Sequence, residues 1–255
     1  MLKVAFSGKG GAGKTTIASL FIKALAKDGM RVLAVDCDPV ADLGRFLGIK
    51  DAERITPIAE MKELINERTQ AAYDRTFYKL NPKVEDIPDA FAKKIGNIKL
   101  IVIGTPKAGG SGCMCPESSF LKALLSRLLL QEDECVVMDM EAGVEHLGRA
   151  TASFVNHLFI ITEPTVSSIE AAKKISRLAG DIKIKDISVI LNKVRKNQDI
   201  DFVKDNISSL PLIGSIPFAE NLLAYGMDKD ITIEETQVYR KVLEIEQKIF
   251  KEGLK

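Results

Sequence analysis

The sequence lacks an excess of charge of either sign. Its 36 Lys and Arg residues stand against 35 Asp and Glu residues, which gives a net charge of +1 over 255 residues. A nearly neutral chain has no overall electrostatic field to attract nucleic acid or an anionic membrane. We therefore expect no nucleic-acid partner and no membrane partner, although the composition allows a local basic patch.

Long hydrophobic runs are also missing, and cysteines are few. No segment reaches the length of about 18 apolar residues that a membrane-spanning helix needs. Met1–Ser7 runs directly into a glycine loop without the apolar core of a signal peptide. The expected location is the cytoplasm, where the four cysteines are interpreted as core, metal-binding or redox residues rather than disulfides.

Short runs rich in Val, Ile and Leu alternate with longer helix-like segments. This pattern predicts an α/β fold, in which a mostly parallel sheet is flanked by helices. Because no internal repeat or low-complexity linker interrupts the pattern, residues 1–255 are expected to form a single domain. The predicted strands are Leu2–Ser7, Val32–Asp36, Lys99–Gly104, Cys135–Asp139, Leu158–Thr162, Ile187–Asn192 and Leu212–Ile216.

Two other segments have open interpretations. Asn66–Asn97 is the least regular stretch, and it is either a surface excursion that contacts a partner or an ordinary insertion. A final helix is predicted at about Ile233–Lys251, where apolar residues are mixed with many charges. This mixture favours a packing helix over a membrane anchor.

A glycine loop follows the first predicted strand and fits the phosphate-loop pattern G-x-x-x-x-G-K-[ST]. Its glycines let backbone N–H groups approach phosphates, and the start of the following helix, Ile17–Ala26, favours negative charge. Lys14 is expected to reach the outer phosphates, and Thr15 to offer its hydroxyl to Mg²⁺. The predicted nucleotide contacts are Gly8, Lys9, Gly10, Gly11, Ala12, Gly13, Lys14, Thr15 and Thr16.

Three carboxylates lie at the ends of predicted strands. Asp36 and Asp38 follow the second strand, and Asp139 ends the strand that begins at Cys135. Phosphoryl transfer depends on positioning and charge neutralisation, so Asp36 and Asp38 are candidates for the surroundings of magnesium and the attacking water. Capping of the next helix is the alternative for either one.

Cys113 and Cys115 lie in a glycine-rich loop before a probable helix. Two thiolates at i and i+2 can turn to one side, and thiolates suit Zn²⁺, Cu(I), iron–sulfur clusters and some Ni²⁺ sites. One pair supplies only two ligands, whereas a two-fold dimer places four sulfurs around one ion. Two unligated loop cysteines are the alternative.

The string Lys9–Thr16 is similar to the deviant phosphate loop of the MinD, ParA and nitrogenase-iron-protein class of dimerising ATPases. The resemblance implies that Lys9 crosses a two-fold interface to the partner's nucleotide. It also implies that Asp38 orients the attacking water, with Asp36 nearer the metal. Asp139 resembles the acidic residue that holds magnesium, usually through water. The segment after it, which contains Gly143, would be the second switch that moves as the γ-phosphate arrives or leaves.

The same resemblance extends to residues that would surround the base. Asn192, followed by Lys193, resembles the adenine-contacting Asn of this class, and Pro217 with Phe218 resembles its late base-side loop. Arg195 occupies the position of the Asp in a guanine-specific Asn-Lys-x-Asp pattern. The resemblance therefore implies ATP and ADP as ligands rather than guanine nucleotides.

Three more segments, Ser111–Glu117, Asp139–Gly143 and Thr162–Pro164, resemble the CooC and AcsF type of nickel-insertion ATPase. This resemblance implies ATP-dependent maturation of carbon monoxide dehydrogenase or acetyl-CoA synthase by a homodimer. Cys113 and Cys115 would hold Ni²⁺ or Zn²⁺ at the dimer interface, and the irregular stretch would contact the client. Two alternatives remain, a [4Fe–4S] electron-transfer ATPase and a MinD/ParA-like positioning ATPase.

Overall fold

A computed structural model describes residues 2–38, 40, 42–71, 77–104, 116–130, 135–141, 143, 155–207, 210–220 and 236–251. The strands form one sheet with the order β3-β4-β2-β5-β1-β6-β7-β8, in which only the β3–β4 pair is antiparallel. The strands are β1 Lys3–Gly8, β2 Val32–Asp36, β3 Lys93–Ile95, β4 Ile98–Val102, β5 Cys135–Asp139, β6 His157–Thr162, β7 Asp186–Val194 and β8 Leu212–Pro217.

Helices cover both faces of this sheet. They are α1 Lys14–Lys27, α2 Leu43–Leu47, α3 Lys62–Thr69, α4 Ile87–Phe91, α5 Pro116–Leu130, α6 Val166–Asp181, α7 Asn197–Asn206 and α8 Gln237–Lys251, with 3₁₀ turns at Ala52–Arg54 and Ile58–Glu60. One apolar layer contains buried residues of α1, α2 and α8, and the other contains buried residues of α3, α4, α5, α6 and α7. Because the central strands are covered on both faces, their sequences are continuous apolar runs rather than alternating apolar and polar residues.

Strand β1 lies at the centre, between β5 and β6, and its side chains alternate between the two layers. Ala5 belongs to one layer, whereas Phe6 belongs to the other, where it packs against Phe21 of α1 and Phe159 of β6. The three ring centroids lie 5.1 to 5.9 Å apart. Because each buried Phe contributes about 1.5–3 kcal/mol, this cluster anchors α1 on β1 and so fixes both ends of the loop between them.

The predicted α/β class is confirmed, and all seven predicted strands are present with ends shifted by at most two residues. The prediction missed β3, whose three residues are all exposed and pair antiparallel with β4 at the sheet edge. Asn66–Asn97 is more regular than expected, because it contains the end of α3 and all of α4 and β3. Within the ranges given above, no helix has the length and hydropathy needed to cross a membrane.

Candidate nucleotide and magnesium site

The loop between β1 and α1 depends on glycine at two close approaches. Gly13 has φ +94°, and a Cβ atom there would overlap the side-chain nitrogen of Asn192. A Cβ atom on Gly8 would overlap the carbonyl oxygen of Ile161. A side chain at either position would therefore push the loop away from its neighbours, which supports the predicted glycine pattern.

The first turn of α1 is suited to an anion. It contains no acidic side chain, so its backbone N–H groups and the positive end of the helix dipole are not neutralised from within the helix. Lys14, the first residue of α1, is 8% exposed. The described loop therefore presents a buried cation and backbone donors at the carboxyl edge of β1, as predicted for phosphate binding.

Asp36 and Asp139 lie side by side at the ends of β2 and β5, where they are register partners. Asp36 is fully buried, and its two carboxylate oxygens accept the backbone N–H groups of Asp38 and Leu43, each at 3.0 Å. Burial raises the pKa of Asp36 to about 8, and the charge of Asp139 adds to this effect. Asp36 thus shapes the turn that leads into α2.

Asp139 is equally buried but is not hydrogen-bonded in the same way. Among the described residues, neither of its carboxylate oxygens has a hydrogen-bond partner. Burial raises its pKa to about 7, whereas the nearby Thr15 hydroxyl and Lys14 charge act in the opposite direction. A buried carboxylate of this kind is stabilised by a cation. Asp139 with the Thr15 hydroxyl is therefore an oxygen-donor set that fits Mg²⁺.

Asp38 faces the same space. Its charge raises the pKa of both Asp36 and Asp139, and its Oδ1 atom accepts the backbone N–H of Val40 at 2.9 Å. Val40 precedes α2, so this hydrogen bond is a turn contact and does not cap the helix. Asp36, which accepts the N–H of Leu43 at the start of α2, is the residue that fits the capping alternative.

A pocket of about 100 Å³ opens beside the start of α1. The amide nitrogen of Asn192 donates to the carbonyl of Ala12 at 2.8 Å, and the Arg195 guanidinium lies 4.0 Å over the Phe218 ring. The structure thus brings all four predicted base-side residues together. The lining consists of Gly13, Thr16, Ile17, Asn192, Lys193, Pro217, Phe218, Ala219 and Val238.

Lys193 has a second role that the sequence analysis did not assign. Its backbone is left-handed, with φ +61°, and its ammonium donates to the Gly11 carbonyl at 2.7 Å. The same ammonium forms an ion pair with Glu163 at 2.5 Å. Lys193 therefore ties the end of β7 to the phosphate loop, and Glu163 neutralises its charge. The Thr162–Pro164 motif that includes Glu163 was the signal in the sequence.

Lys9 is exposed, and its ammonium donates to the Ser167 hydroxyl at 2.8 Å. Ser167 is in the first turn of α6, so this contact joins the phosphate loop to a neighbouring helix of the same chain. The structure thus places Lys9 at the outer surface of the nucleotide edge. An exposed hydrogen bond of this kind is easily exchanged for another partner.

The predicted thiolate pair, Cys113 and Cys115, lies outside the described residues. Within the described part of the chain, no group of three or more His, Cys, Asp or Glu side chains forms a potential metal site. Cys37 and Cys135 are both buried thiols, and burial raises the pKa of each. These two cysteines match the interpretation of small core residues.

A glycine loop, a buried carboxylate that suits a cation and an adjoining pocket together define a P-loop nucleoside triphosphatase. Residues 3–232 match the CobQ/CobB/MinD/ParA nucleotide binding domain, and the chain belongs to this family. The ATPase prediction is thereby confirmed.

Individual relatives support the same assignment. An uncharacterized ATP-binding protein of Methanocaldococcus jannaschii is 44% identical, with 87% of each chain covered. The carbon monoxide dehydrogenase accessory protein CooC of Rhodospirillum rubrum is 43% identical, over 85% of this chain and 84% of its own. The solved MinC:MinD cell division complex of Aquifex aeolicus has the same fold, with a TM-score of 0.72 and 18% identity over 100% and 98% of the two chains.

Proposed function

We propose that the chain is an ATP-dependent metallochaperone that inserts nickel during the maturation of carbon monoxide dehydrogenase or acetyl-CoA synthase. The observation that carries this proposal is the 43% identity to CooC of Rhodospirillum rubrum over most of both chains. That relative is a carbon monoxide dehydrogenase accessory protein. The geometry of the nucleotide site supports the ATP-dependent part of the proposal.

In the proposed hydrolysis, Asp139 and the Thr15 hydroxyl hold Mg²⁺, directly or through water. The ion neutralises charge on the outer phosphates when it is bound. Asp36 contributes its charge through water, since both of its oxygens already accept backbone N–H groups. Lys14 binds the outer phosphates, and Asp38 orients the attacking water.

The proposed dimer forms through the nucleotide edge of the sheet. Lys9 exchanges its exposed bond to Ser167 for the partner's nucleotide, where its charge stabilises the transferred phosphoryl group. Cys113 and Cys115 of each protomer then hold Ni²⁺ or Zn²⁺ as cargo between the subunits. Because ATP and the metal both favour the closed dimer, each raises the affinity for the other.

The client enzyme is proposed to contact the stretch Asn66–Asn97. In this stretch, Phe77 and Leu80 are 79% and 54% exposed. In the same stretch, Arg68 and Asp86 make a two-pronged ion pair with distances of 2.8 and 2.7 Å. Exposed apolar side chains are suited to docking, because an aromatic side chain contributes strongly to the binding free energy when a partner buries it.

The test is an anaerobic measurement of oligomeric state and bound metal without nucleotide, with ADP and with a non-hydrolysable ATP analogue. We expect one metal ion per dimer, lost when Cys113 and Cys115 are both changed to Ser. Cys135→Ser is the matched control, because Cys135 is a buried residue of β5 and is not part of the Cys113–Cys115 motif. This variant should retain the metal. Absence of metal in every state, or one ion per dimer in the double variant, contradicts the proposal.

The same preparations separate the two alternative functions. A [4Fe–4S] electron-transfer ATPase would show visible absorption from the cluster in anaerobically purified protein. A positioning ATPase would sediment with anionic liposomes or non-specific DNA when ATP is present. Either result in the wild-type chain would replace the metallochaperone proposal.

A further inference from the structure

Ser7 makes an unusual connection between the phosphate loop and the predicted second switch. Strands β1 and β5 stay paired as far as the backbone bond from the Met140 N–H to the Phe6 carbonyl, at 3.0 Å. Beyond this point, the Ser7 hydroxyl takes over. It donates to the Gly143 carbonyl at 2.7 Å and accepts the Gly143 N–H at 3.2 Å. A side chain thus extends the connection past the end of the strand pair.

Both partners are placed where this connection matters. Ser7 is fully buried and immediately precedes Gly8, the first residue of the phosphate loop. Gly143 follows the magnesium candidate Asp139 by four residues, and its φ of +129° lies in the region that favours glycine. The hydroxyl therefore binds a backbone segment whose conformation is already specialised, next to the site where phosphates are expected.

We propose that Ser7 is a positioning residue that latches the second switch. The 2.7 Å bond to the Gly143 carbonyl is a pivot that persists, and the longer 3.2 Å bond from the Gly143 N–H is the latch that a γ-phosphate displaces. This inference rests on the predicted role of Gly143 as the group that responds to the γ-phosphate. ADP lacks that phosphate and leaves the latch closed, so Ser7 opposes the binding of ATP but not that of ADP.

The size of the effect follows from the value of one hydrogen bond. A typical net contribution corresponds to roughly a 2- to 13-fold change in an equilibrium constant. We expect Ser7→Ala to raise, by that factor, the affinity for a non-hydrolysable ATP analogue relative to the affinity for ADP. Titration calorimetry with both nucleotides in the presence of Mg²⁺ measures the ratio directly.

Ser188→Ala is the matched control. Ser188 is also buried on a strand, and its hydroxyl is hydrogen-bonded to His157 Nε2 at 2.9 Å, so the variant removes an equivalent bond with no connection to Gly143. We expect it to leave the affinity ratio unchanged. If the wild-type chain binds neither nucleotide, the ATPase function fails. If the wild type binds both and Ser7→Ala leaves the ratio unchanged or lowers it, only the latch is wrong.

A second measurement separates the latch from a purely structural role. Amide hydrogen exchange in the ADP complex should be faster at Gly143 in Ser7→Ala than in the wild type, and unchanged along β1 and β5. Faster exchange along both strands would indicate general loosening and would overturn the proposal. Ser7→Cys, whose thiol is a weaker donor and acceptor, should shift the ratio in the same direction and serves if the Ala variant is unstable.

Discussion

The two adjacent buried carboxylates lead to different expectations for the same substitution. Asp139→Asn should increase the stability of the chain in EDTA without nucleotide at pH 8, although it removes a predicted magnesium ligand. The reason is that burial raises the pKa of Asp139 to about 7, although the nearby Thr15 hydroxyl and Lys14 charge favour its ionised form, and neither carboxylate oxygen makes a hydrogen bond of ordinary geometry among the described residues. The neutral amide removes the ionised form that burial disfavours.

The sign and size of the effect come from proton linkage. Between the ordinary carboxyl pKa of 3.8 and the folded value of about 7, the folded chain keeps a proton that the unfolded chain has released. Wild-type stability therefore falls as the pH rises through this window. A shift of about three pH units corresponds to a ceiling of about 4 kcal/mol. The buried Asn amide and the protonated wild-type carboxyl both lack hydrogen-bond partners, so their costs largely cancel, and we expect a net gain of up to about 4 kcal/mol above pH 7.

Asp36→Asn is the matched control, because Asp36 occupies the register position beside Asp139 on the next strand. Both oxygens of Asp36 accept backbone N–H groups, whereas an Asn side chain has only one acceptor oxygen. The substitution leaves the N–H of Asp38 or Leu43 without an acceptor, which costs about 1–3 kcal/mol. At pH 4, where the substitution relieves little ionisation, Asp36→Asn should be less stable than the wild type. Asp139→Asn should be as stable as the wild type at this pH.

Urea unfolding followed by circular dichroism from pH 4 to pH 8 measures these differences. The gain of Asp139→Asn over the wild type should be near zero at pH 4 and reach its full value above pH 7. ATP hydrolysis and the stabilisation by Mg²⁺ and ADP should be lost in the same variant. A lower stability than the wild type at pH 8, or an offset that does not vary with pH, would refute the reasoning.

Three further predictions test other parts of the molecule. Gly13→Ala should weaken nucleotide binding at least about 100-fold in calorimetry, because the new Cβ atom overlaps the side chain of Asn192. Gly29→Ala, at φ +84° in open space, is the control and should cost only about 1 kcal/mol of stability. Equal effects of the two substitutions would contradict this prediction. Lys193→Met should raise the KM for ATP several-fold by releasing the phosphate loop, and Glu163→Gln should raise it more weakly. An unchanged KM in both variants would show that the bond from Lys193 to the phosphate loop does not support ATP binding. Glu246→Gln should raise the Tm at pH 8 but not at pH 4. Burial raises the pKa of Glu246 to about 6, so wild-type stability falls as the pH rises from 4.5 through that value. An equal shift in Tm at both pH values would contradict this prediction.

The central part of the fold is predictable because its physical signals are local. Strands buried on both faces, such as Val32–Asp36 and Cys135–Asp139, are continuous apolar runs, and a phosphate loop has a fixed pattern of glycines and Lys. Strand β3, Lys93–Ile95, has neither signal, since all of its residues are exposed. It is held by backbone pairing to β4 at the edge, and such pairing leaves little trace in the sequence.

The site is predictable in its residue types but not in how they are bonded. Asp36 and Asp139 look alike in the sequence, since each ends an apolar strand. They differ because the chain after Asp36 turns so that two backbone N–H groups point at its carboxylate, and no pattern in the sequence reveals this. The bond from Lys193 to Gly11 is likewise invisible, because it joins residues 182 positions apart.

We propose that the end of β5 and the residues that follow it carry two groups that respond to different parts of the nucleotide. Asp139 responds to the metal, which accompanies ADP as well as ATP, so relief of its buried charge reports that a nucleotide is present. Gly143, four residues later, is held by Ser7 and responds only to the third phosphate. The two responses are therefore separable: unfolding stability as a function of pH follows Asp139, while the ratio of ATP to ADP affinity follows Ser7. A single short segment would thus convert nucleotide occupancy and phosphate number into two separable signals for the proposed dimer cycle.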